Sequence, residues 1–319
     1  MNAAKNNTAI ATTATADRQA QEPVGLSSPG SYVGRFAPTP SGDLHLGSLY
    51  TAAASYLDAR AQRGRWLLRV EDLDRPREVA GSAARILHTL DRFGFEWDGE
   101  AERQSDRTER YLHALESLED RGLTFGCSCS RSQLEEESRY PGTCRERPST
   151  PGVPTATRLR VEPGLMQFSD RIQGTYRQDV AAAVGDLVLR RRDGIISYLL
   201  AVVVDDAAQG VTHVLRGADL LDNTPRQIYL QRALQLVQPS YAHVPVLTEP
   251  DDTKLAKSKR SVRLDEHFEL PQLLQVFSLL GLGPPNSLAA ATLADAWAWA
   301  IAGWSIHRVP KRLNVRVAV

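Results

Sequence analysis

Apolar and polar positions fall into a regular pattern from Ser31 onward, and the first segment so defined, residues 32–37, predicts a short strand. Pro38 and Pro40 exclude helix through the turn that follows. Residues 46–63 have the spacing of an Ala-rich helix, with Gly64 placed as its C-terminal cap. Residues 66–70 are mostly apolar, as in a strand covered on both faces of a parallel sheet. Pro76 suits the first turn of a helix whose Val79, Ala83, Ile86, Leu87 and Leu90 recur on one face. Asp106 with Glu109 predicts a capping box for a third helix, which Gly122 ends.

Strand, helix, strand, helix is the order of a doubly wound α/β sheet. The alternation breaks at residues 127–160, where Pro, Gly, Ser and Thr are dense enough to predict an insertion. Strand patterning is read again at 186–190, 195–204 and 212–216, then a helix at 224–237 and a polar loop at 248–261. From His267 the chain reads as helical, with Leu270, Leu273, Leu274, Phe277 and Leu280 on one buried face. The aromatic trio Trp297, Trp299 and Trp304 reads as a packed core face. No internal repeat is present.

Charge and composition narrow the function. Lys+Arg and Asp+Glu stand at 38 each, which excludes a general polycation and leaves nucleic-acid binding to a local surface such as Arg190–Arg192. No uninterrupted run of about 18 apolar residues appears, so a membrane span is not expected. The first 30 residues lack both the basic start and the apolar stretch of a secretory signal and read as a disordered leader. The 3 cysteines all fall between Cys127 and Cys144. An odd number in one tight cluster fits a metal site in a reducing, cytoplasmic setting better than a disulfide framework.

Two stretches carry chemistry. The first, Arg35-Phe36-Ala37-Pro38-Thr39-Pro40-Ser41-Gly42-Asp43-Leu44-His45-Leu46-Gly47-Ser48, lies where a strand feeds a helix. Backbone N–H groups and the helix dipole favour anions there, and Gly42 and Gly47 permit close backbone approach. His45 can donate to a phosphate oxygen, although a His-x-Gly tripeptide alone fits a plain helix start as well. The second, Lys254-Leu255-Ala256-Lys257-Ser258, offers two lysines that can neutralise a departing pyrophosphate, or simply a solvated basic loop.

Together these stretches resemble the His-Ile-Gly-His and Lys-Met-Ser-Lys-Ser signatures of class I aminoacyl-tRNA synthetases. Four runs resemble the glutamyl and glutaminyl subgroup in the right order, across about residues 31–262. They are Arg35 to Gly42; Arg69-Val70-Glu71-Asp72-Leu73-Asp74; Ser197-Tyr198 with Val202 to Asp206; and Gly210 to Leu220. Ser48 replaces the second His of the first signature, and Leu255-Ala256 replaces the Met-Ser of the second; both lysines remain.

The resemblance implies a Rossmann-type doubly wound parallel sheet, the class I catalytic domain, with an inserted zinc-containing subdomain and a short helical C-terminal region. The implied divisions are a leader at 1–30, sheet halves at 31–122 and 189–262, an insertion at 123–188, and a helical end at 263–319 without an anticodon-binding domain. It implies ATP-dependent activation of L-glutamate to glutamyl-adenylate, with Mg²⁺ accompanying ATP. Glutamate binding falls to Arg35, Phe36, Ala37, Pro38, Thr39, Glu71, Tyr198 and Arg216, ATP binding to His45, Gly47 and Lys257, and catalysis to His45, Lys254 and Lys257. The physics agrees: two carboxylates and an ammonium call for forked cations and one acid. The resemblance also implies a structural Zn²⁺, one per chain, on Cys127, Cys129, Tyr140 and Cys144. Its nearest branch is a truncated monomeric one that works without tRNA in the first step and then esterifies glutamate onto queuosine at the wobble position of tRNA(Asp). A short enzyme charging tRNA(Glu) is the alternative. A nucleotidyltransferase and a non-catalytic zinc-stapled RNA-binding module are less consistent with Arg35, Glu71, Tyr198, Arg216 and the paired lysines.

Overall fold

The opening strand β1 (Val33–Phe36) is buried at all 4 positions, because parallel neighbours flank it and helices cover both its faces. It belongs to a computed structural model that describes residues 32–130, 133–134, 139–147, 152–249, 264 and 266–317, all within the compact unit Ser31–Val319. The elements that follow are α1 (Leu46–Ala61), β2 (Arg65–Val70), α2 (Ser82–Arg92), β3 (Glu102–Arg103), α3 (Thr108–Asp120), β4 (Thr124–Cys127), β5 (Ala156–Leu159) and β6 (Leu165–Asp170). Next come β7 (Gly174–Asp179), α4 (Val180–Ala183), β8 (Leu187–Arg190), α5 (Tyr198–Ala208), β9 (His213–Gly217) and α6 (Thr224–Ala233). The described chain ends with β10 (Ser240–Val244), β11 (Val246–Thr248), α7 (Glu269–Leu279), α8 (Leu293–Gly303) and β12 (Asn314–Arg316).

Two parallel sheets meet edge to edge. One has the order β1-β2-β3, the other β7-β6-β10-β9, in which β9, β10 and β6 run parallel and β7 turns back as a hairpin. They join where Thr212 N–H donates to Val33 O at 2.9 Å and Val33 N–H donates to Thr212 Oγ1 at 2.9 Å. The strand order therefore reverses between β1 and β9, and an open α/β sheet has its crevice at that point, beyond the carboxyl ends of the strands.

Helices cover both faces. Leu49, Leu57, Phe277 and Trp297 from α1, α7 and α8 build one buried core with Trp66. Tyr111, Leu118, Leu200, Val203, Ile228 and Leu230 from α3, α5 and α6 build the other. The α/β fold with parallel sheets is therefore as the alternation predicts. Strands β4, β5 and β8 form a separate antiparallel sheet that flanks the Cys-rich segment.

Several local expectations are corrected. Residues 195–204 are not a strand: Ser197 caps α5 by accepting the Leu200 N–H, and helix follows. An apolar run buried on all sides carries no period, so it cannot separate a buried helix from a strand. Pro76 opens only a single 3₁₀ turn, Arg75–Arg77, and α2 starts later at Ser82 after Gly81 takes a left-handed conformation, so Val79 is 44% exposed. Asp106 caps nothing, because Gln104–Arg107 form a 3₁₀ turn and α3 begins at Thr108 with no side-chain cap.

Helix α1 closes through Gln62 and the positive-φ Arg63, and Gly64 completes the cap one residue on, its N–H donating to Ala59 O at 2.9 Å. Gly64 also serves packing, since a Cβ there would stand 2.5 Å from Tyr32 O. Helix α6 ends at Ala233, short of Val237. The C-terminal end is not wholly helical, because β12 pairs in parallel with β11. Trp297 is buried and its Nε1–H donates to Phe93 O at 2.8 Å, as a core residue should. The leader and the second-signature stretch, including Lys254 and Lys257, lie outside the described residues.

Candidate active site at the strand carboxyl ends

A cleft of about 570 Å³ opens at the point where the strand order reverses, and its walls come from the carboxyl ends of β1, β2, β9 and β10. Arg35, Phe36, Ala37, Pro38, Thr39, His45, Gly47, Glu71, Tyr198 and Arg216 all line it. Every described residue singled out from the sequence for glutamate or ATP is thus brought to one cavity, although they are drawn from as far apart in the chain as Arg35 and Arg216.

The loop after β1 is held by its neighbours. Glu71 N–H donates to Pro38 O at 2.9 Å and Val79 N–H to Pro40 O at 2.9 Å, fixing the loop to the end of β2. Ser82, at the start of α2, donates to Gly42 O at 2.6 Å and accepts the Gly42 N–H at 3.2 Å. Gly42 adopts φ 152, outside the range of ordinary side-chain-bearing residues. His45 is the N-cap of α1, and its Nδ1 accepts the Ser48 N–H at 3.2 Å. Nδ1 as acceptor assigns the neutral ring's proton to Nε2.

Below the cleft lies a buried charge cluster that pattern reading did not resolve into pairs. Asp206 accepts from Arg35 Nε at 3.2 Å and from Arg69 Nη2 at 2.8 Å. Arg69 also faces Glu71 at 3.6 Å and Asp205 at 3.7 Å. Burial pushes the Asp206 carboxyl up, but Arg35 and Arg69 outweigh it and hold the carboxyl below its ordinary range.

Glu71 behaves differently. Burial dominates there and lifts its pKa to about 7, against the lowering influence of Arg69 and Arg35. Its Oε1 has no hydrogen-bond partner among the described residues. A buried acid at a cleft wall, with an oxygen that makes no hydrogen bond and lies 3.6 Å from Arg69, is the complement of a cationic ligand group.

Arg216 sits at the carboxyl end of β9 and is 4% exposed. Its Nε donates to His243 Nε2 at 3.1 Å and its Nη2 to Thr224 Oγ1 at 2.9 Å. Nη1 has no hydrogen-bond partner among the described residues, so one charged donor stays uncommitted. Tyr198 opens α5 and is more exposed, at 38%. Asp206, Arg69, His243 and Thr224 carry no role in the sequence pattern, and their chain-distant pairing shows one.

Away from the cleft, the sulfurs of Cys127, Cys129 and Cys144 lie within 4.8 Å of one another. Cys129 Sγ stands 3.5 Å from Cys144 Sγ, near the ~3.8 Å expected for thiolates at tetrahedral Zn²⁺. Tyr140 joins them, its Oη accepting the Cys144 N–H at 2.9 Å. Burial raises the Cys144 thiol, but hydrogen bonds from Ser128 N–H, Cys129, Tyr140 and Cys127 outweigh this and bring it down to about 7. Three clustered thiols, one of them acidic, are a donor set able to hold a soft metal ion.

Comparison with known proteins decides the family. A family model described as tRNA synthetases class I (E and Q), catalytic domain, matches residues 32–270. The chain belongs to the class I glutamyl and glutaminyl tRNA synthetases. A relative from Pseudomonas fluorescens, named glutamyl-Q tRNA(Asp) synthetase, is 53% identical over 290 residues, covering 91% of this chain and 97% of its own. Relatives of the same name from Pseudomonas aeruginosa and Pseudomonas syringae pv. syringae are 53% and 51% identical over 88% and 90% of this chain, covering 96% and 97% of their own.

Among solved structures, a glutamate tRNA ligase from Elizabethkingia meningosepticum in complex with its amino acid shares the fold at TM-score 0.74 and 23% identity. The match covers 89% of this chain and 67% of that one. Glutamate-tRNA synthetase from Elizabethkingia anophelis gives TM-score 0.77 at 23% identity over 91% of this chain and 68% of that one. This synthetase-family chain is therefore an enzyme of the ligase class, and its cleft occupies the catalytic domain. Among the described residues, no helix is long and apolar enough to cross a membrane.

Proposed function

We propose that the enzyme activates L-glutamate with ATP, without needing tRNA for that step, and then transfers the glutamyl group to queuosine at the wobble position of tRNA(Asp). The observation that carries the first half is the meeting of Arg35, Glu71, Tyr198 and Arg216 with the His45 loop in one cleft. Support for the second half is the name borne by the relatives matched along almost their whole length.

In this reading the uncommitted Nη1 of Arg216 takes the glutamate side-chain carboxylate, and the Glu71 carboxylate takes the ammonium. Arg35, tied to Asp206, serves the same pocket with Tyr198, while Phe36, Ala37, Pro38 and Thr39 shape its wall. The α-carboxylate then attacks the α-phosphorus of ATP, a new C–O–P link forms, and pyrophosphate leaves with its Mg²⁺. His45 Nε2–H, Gly47 and the first N–H groups of α1 face the phosphates, and Lys254 and Lys257 neutralise the leaving charge. No enzyme nucleophile is required. The domain divisions at 30/31, 122/123, 188/189 and 262/263, a cytoplasmic location and a monomeric state complete the proposal.

The Glu71 role has a pH signature. Its folded pKa of about 7 lies above the ordinary 4.5, so the empty site holds a proton that the unfolded chain has already lost in that window. Stability from this group therefore declines as pH rises toward 7. Binding an ammonium ion requires the carboxylate, so KM for glutamate should fall by up to about tenfold per unit as pH rises toward 7 and then level. Glu71→Gln should weaken binding and flatten the profile. An unchanged slope in that variant would assign the titration elsewhere.

The cysteine site would be structural, because nothing places it at the reacting phosphate. Protein purified without chelator is expected to carry about one zinc per chain by total-metal analysis, and Cys144→Ser to lose most of it. Zinc-free wild-type protein would remove this part of the proposal.

The deciding experiment is glutamate-dependent ATP–pyrophosphate exchange without tRNA, with glutamine and aspartate as controls, followed by charging of queuosine-containing tRNA(Asp). Exchange with glutamate alone and label on tRNA(Asp) is the expected result. Silence relieved only by tRNA(Glu) would instead identify a short enzyme that charges that tRNA.

A further inference from the structure

Behind Arg216 runs a line of contacts with no exposed member. Arg216 Nε donates to His243 Nε2 at 3.1 Å, and His243 Nδ1 meets Asp170 Oδ2 at 2.6 Å. His243 is 0% exposed and Asp170 is 3% exposed. The tautomer follows from the partners. Arg216 has only protons to give, so Nε2 must accept; Nδ1 then carries the ring proton and donates it to Asp170.

Asp170 is itself pinned. Its Oδ1 accepts N–H groups from Ile172 at 2.9 Å, Gln173 at 2.8 Å and His243 at 3.2 Å. Burial raises its carboxyl, but His243 and these N–H groups hold it below the ordinary range. Burial and the neighbouring Arg216 cation outweigh Asp170 and keep His243 below its usual pKa, hence neutral.

This arrangement does something a direct ion pair would not. A carboxylate against Arg216 would fix the guanidinium but also neutralise it. A neutral imidazole fixes the Nε edge, and Thr224 Oγ1 the Nη2 edge, leaving the charge for the ligand. We infer that the buried Asp170–His243 pair is a positioning device that holds Arg216 by a neutral acceptor and so sets the preference of the cleft for a side-chain carboxylate over a carboxamide. The inference rests on the proposal that Arg216 receives the glutamate side chain.

The test is ATP–pyrophosphate exchange with the full chain, wild type against Asp170→Asn, His243→Ala, His243→Gln and Arg216→Ala, each first checked for a wild-type circular dichroism spectrum and cooperative melt. Cognate tRNA is present throughout. Asp170→Asn can present the wrong edge and release the tautomer, and His243→Ala removes the acceptor. Both should raise KM for glutamate at least about tenfold, leave KM for ATP within about threefold, and reduce discrimination against glutamine at least about tenfold. His243→Gln restores a neutral acceptor near Nε2 and should keep KM for glutamate within about threefold of wild type. Unchanged KM and discrimination in folded Asp170→Asn and His243→Ala, or equal losses toward glutamate and ATP, would overturn the positioning role. If Arg216→Ala also leaves KM for glutamate unchanged, the substrate assignment of Arg216 falls, and the inference with it.

Discussion

Arg216→Ala is expected to lower kcat/KM for glutamate by about a hundredfold to a thousandfold in ATP–pyrophosphate exchange, with KM for ATP almost unchanged. The magnitude follows from removing one member of a buried, hydrogen-bonded charge pair, which costs about 2–5 kcal/mol. A glutamate carboxylate at the cleft would then be desolvated without a partner. Glutamine should suffer far less, since its amide had no claim on the lost charge. Arg216→Lys separates charge from shape. It keeps a cation but cannot reach His243 and Thr224 together with the ligand, so an intermediate loss is expected. A ratio of glutamate to glutamine activity that stays constant across the three proteins would show that Arg216 does not read the side chain.

Asp206→Ala should give the largest loss of stability at this site. Asp206 accepts from both Arg35 and Arg69, which are 4% and 1% exposed, so its removal takes away the carboxylate that pairs Arg35 and leaves Arg69 to Glu71 and Asp205. Breaking one such partnership costs about 3–5 kcal/mol. In a protein of this size about 1.5 °C of Tm goes with each kcal/mol, so differential scanning calorimetry should show a fall of about 5–7 °C. Glu71 offsets part of the loss. Its pKa of about 7 reflects burial first, and the charge of Asp206 contributes a further rise. With Asp206 gone, Glu71 should ionise at lower pH and pair more fully with Arg69. The pH dependence of glutamate KM would shift toward acid in the same variant, and a melt within about 2 °C of wild type would mean the two arginines find other acceptors.

Much of the cleft was legible because its residues occur in contiguous runs. The loop from Arg35 to Ser48 is a strand end feeding a helix start, and two prolines and two glycines in it restrict the backbone to a turn. The parallel-sheet class showed in the alternation of apolar strands with periodic helices. What the chain did not reveal was of two kinds. The helix α5 read as a strand because both faces of Val202 and Val203 are covered, which erases the period that separates the two structures. The charge pairs were hidden by distance: Arg35 meets Asp206 171 positions on, and His243 meets Asp170 73 positions back. Nothing local in Asp170-Arg171-Ile172-Gln173 marks it as the anchor of a site residue. The β11–β12 pair is of the same sort, joining Val246–Thr248 to Asn314–Arg316 across a helical segment.

That last pairing bears on how the molecule is made. Val246 and Leu247 form part of the cleft wall, and among the described residues β12 is the strand that pairs with the element they occupy. A ribosome delivers β1, with the loop that follows it, before the other described elements and β12 after them. The sheet can condense while synthesis proceeds, yet one wall of the cleft waits for the strand that follows every other described element in chain order. A polypeptide that stops before Asn314 would hold most of the buried core and still lack that brace. Truncation before Asn314 should therefore yield soluble protein with little exchange activity rather than no protein at all.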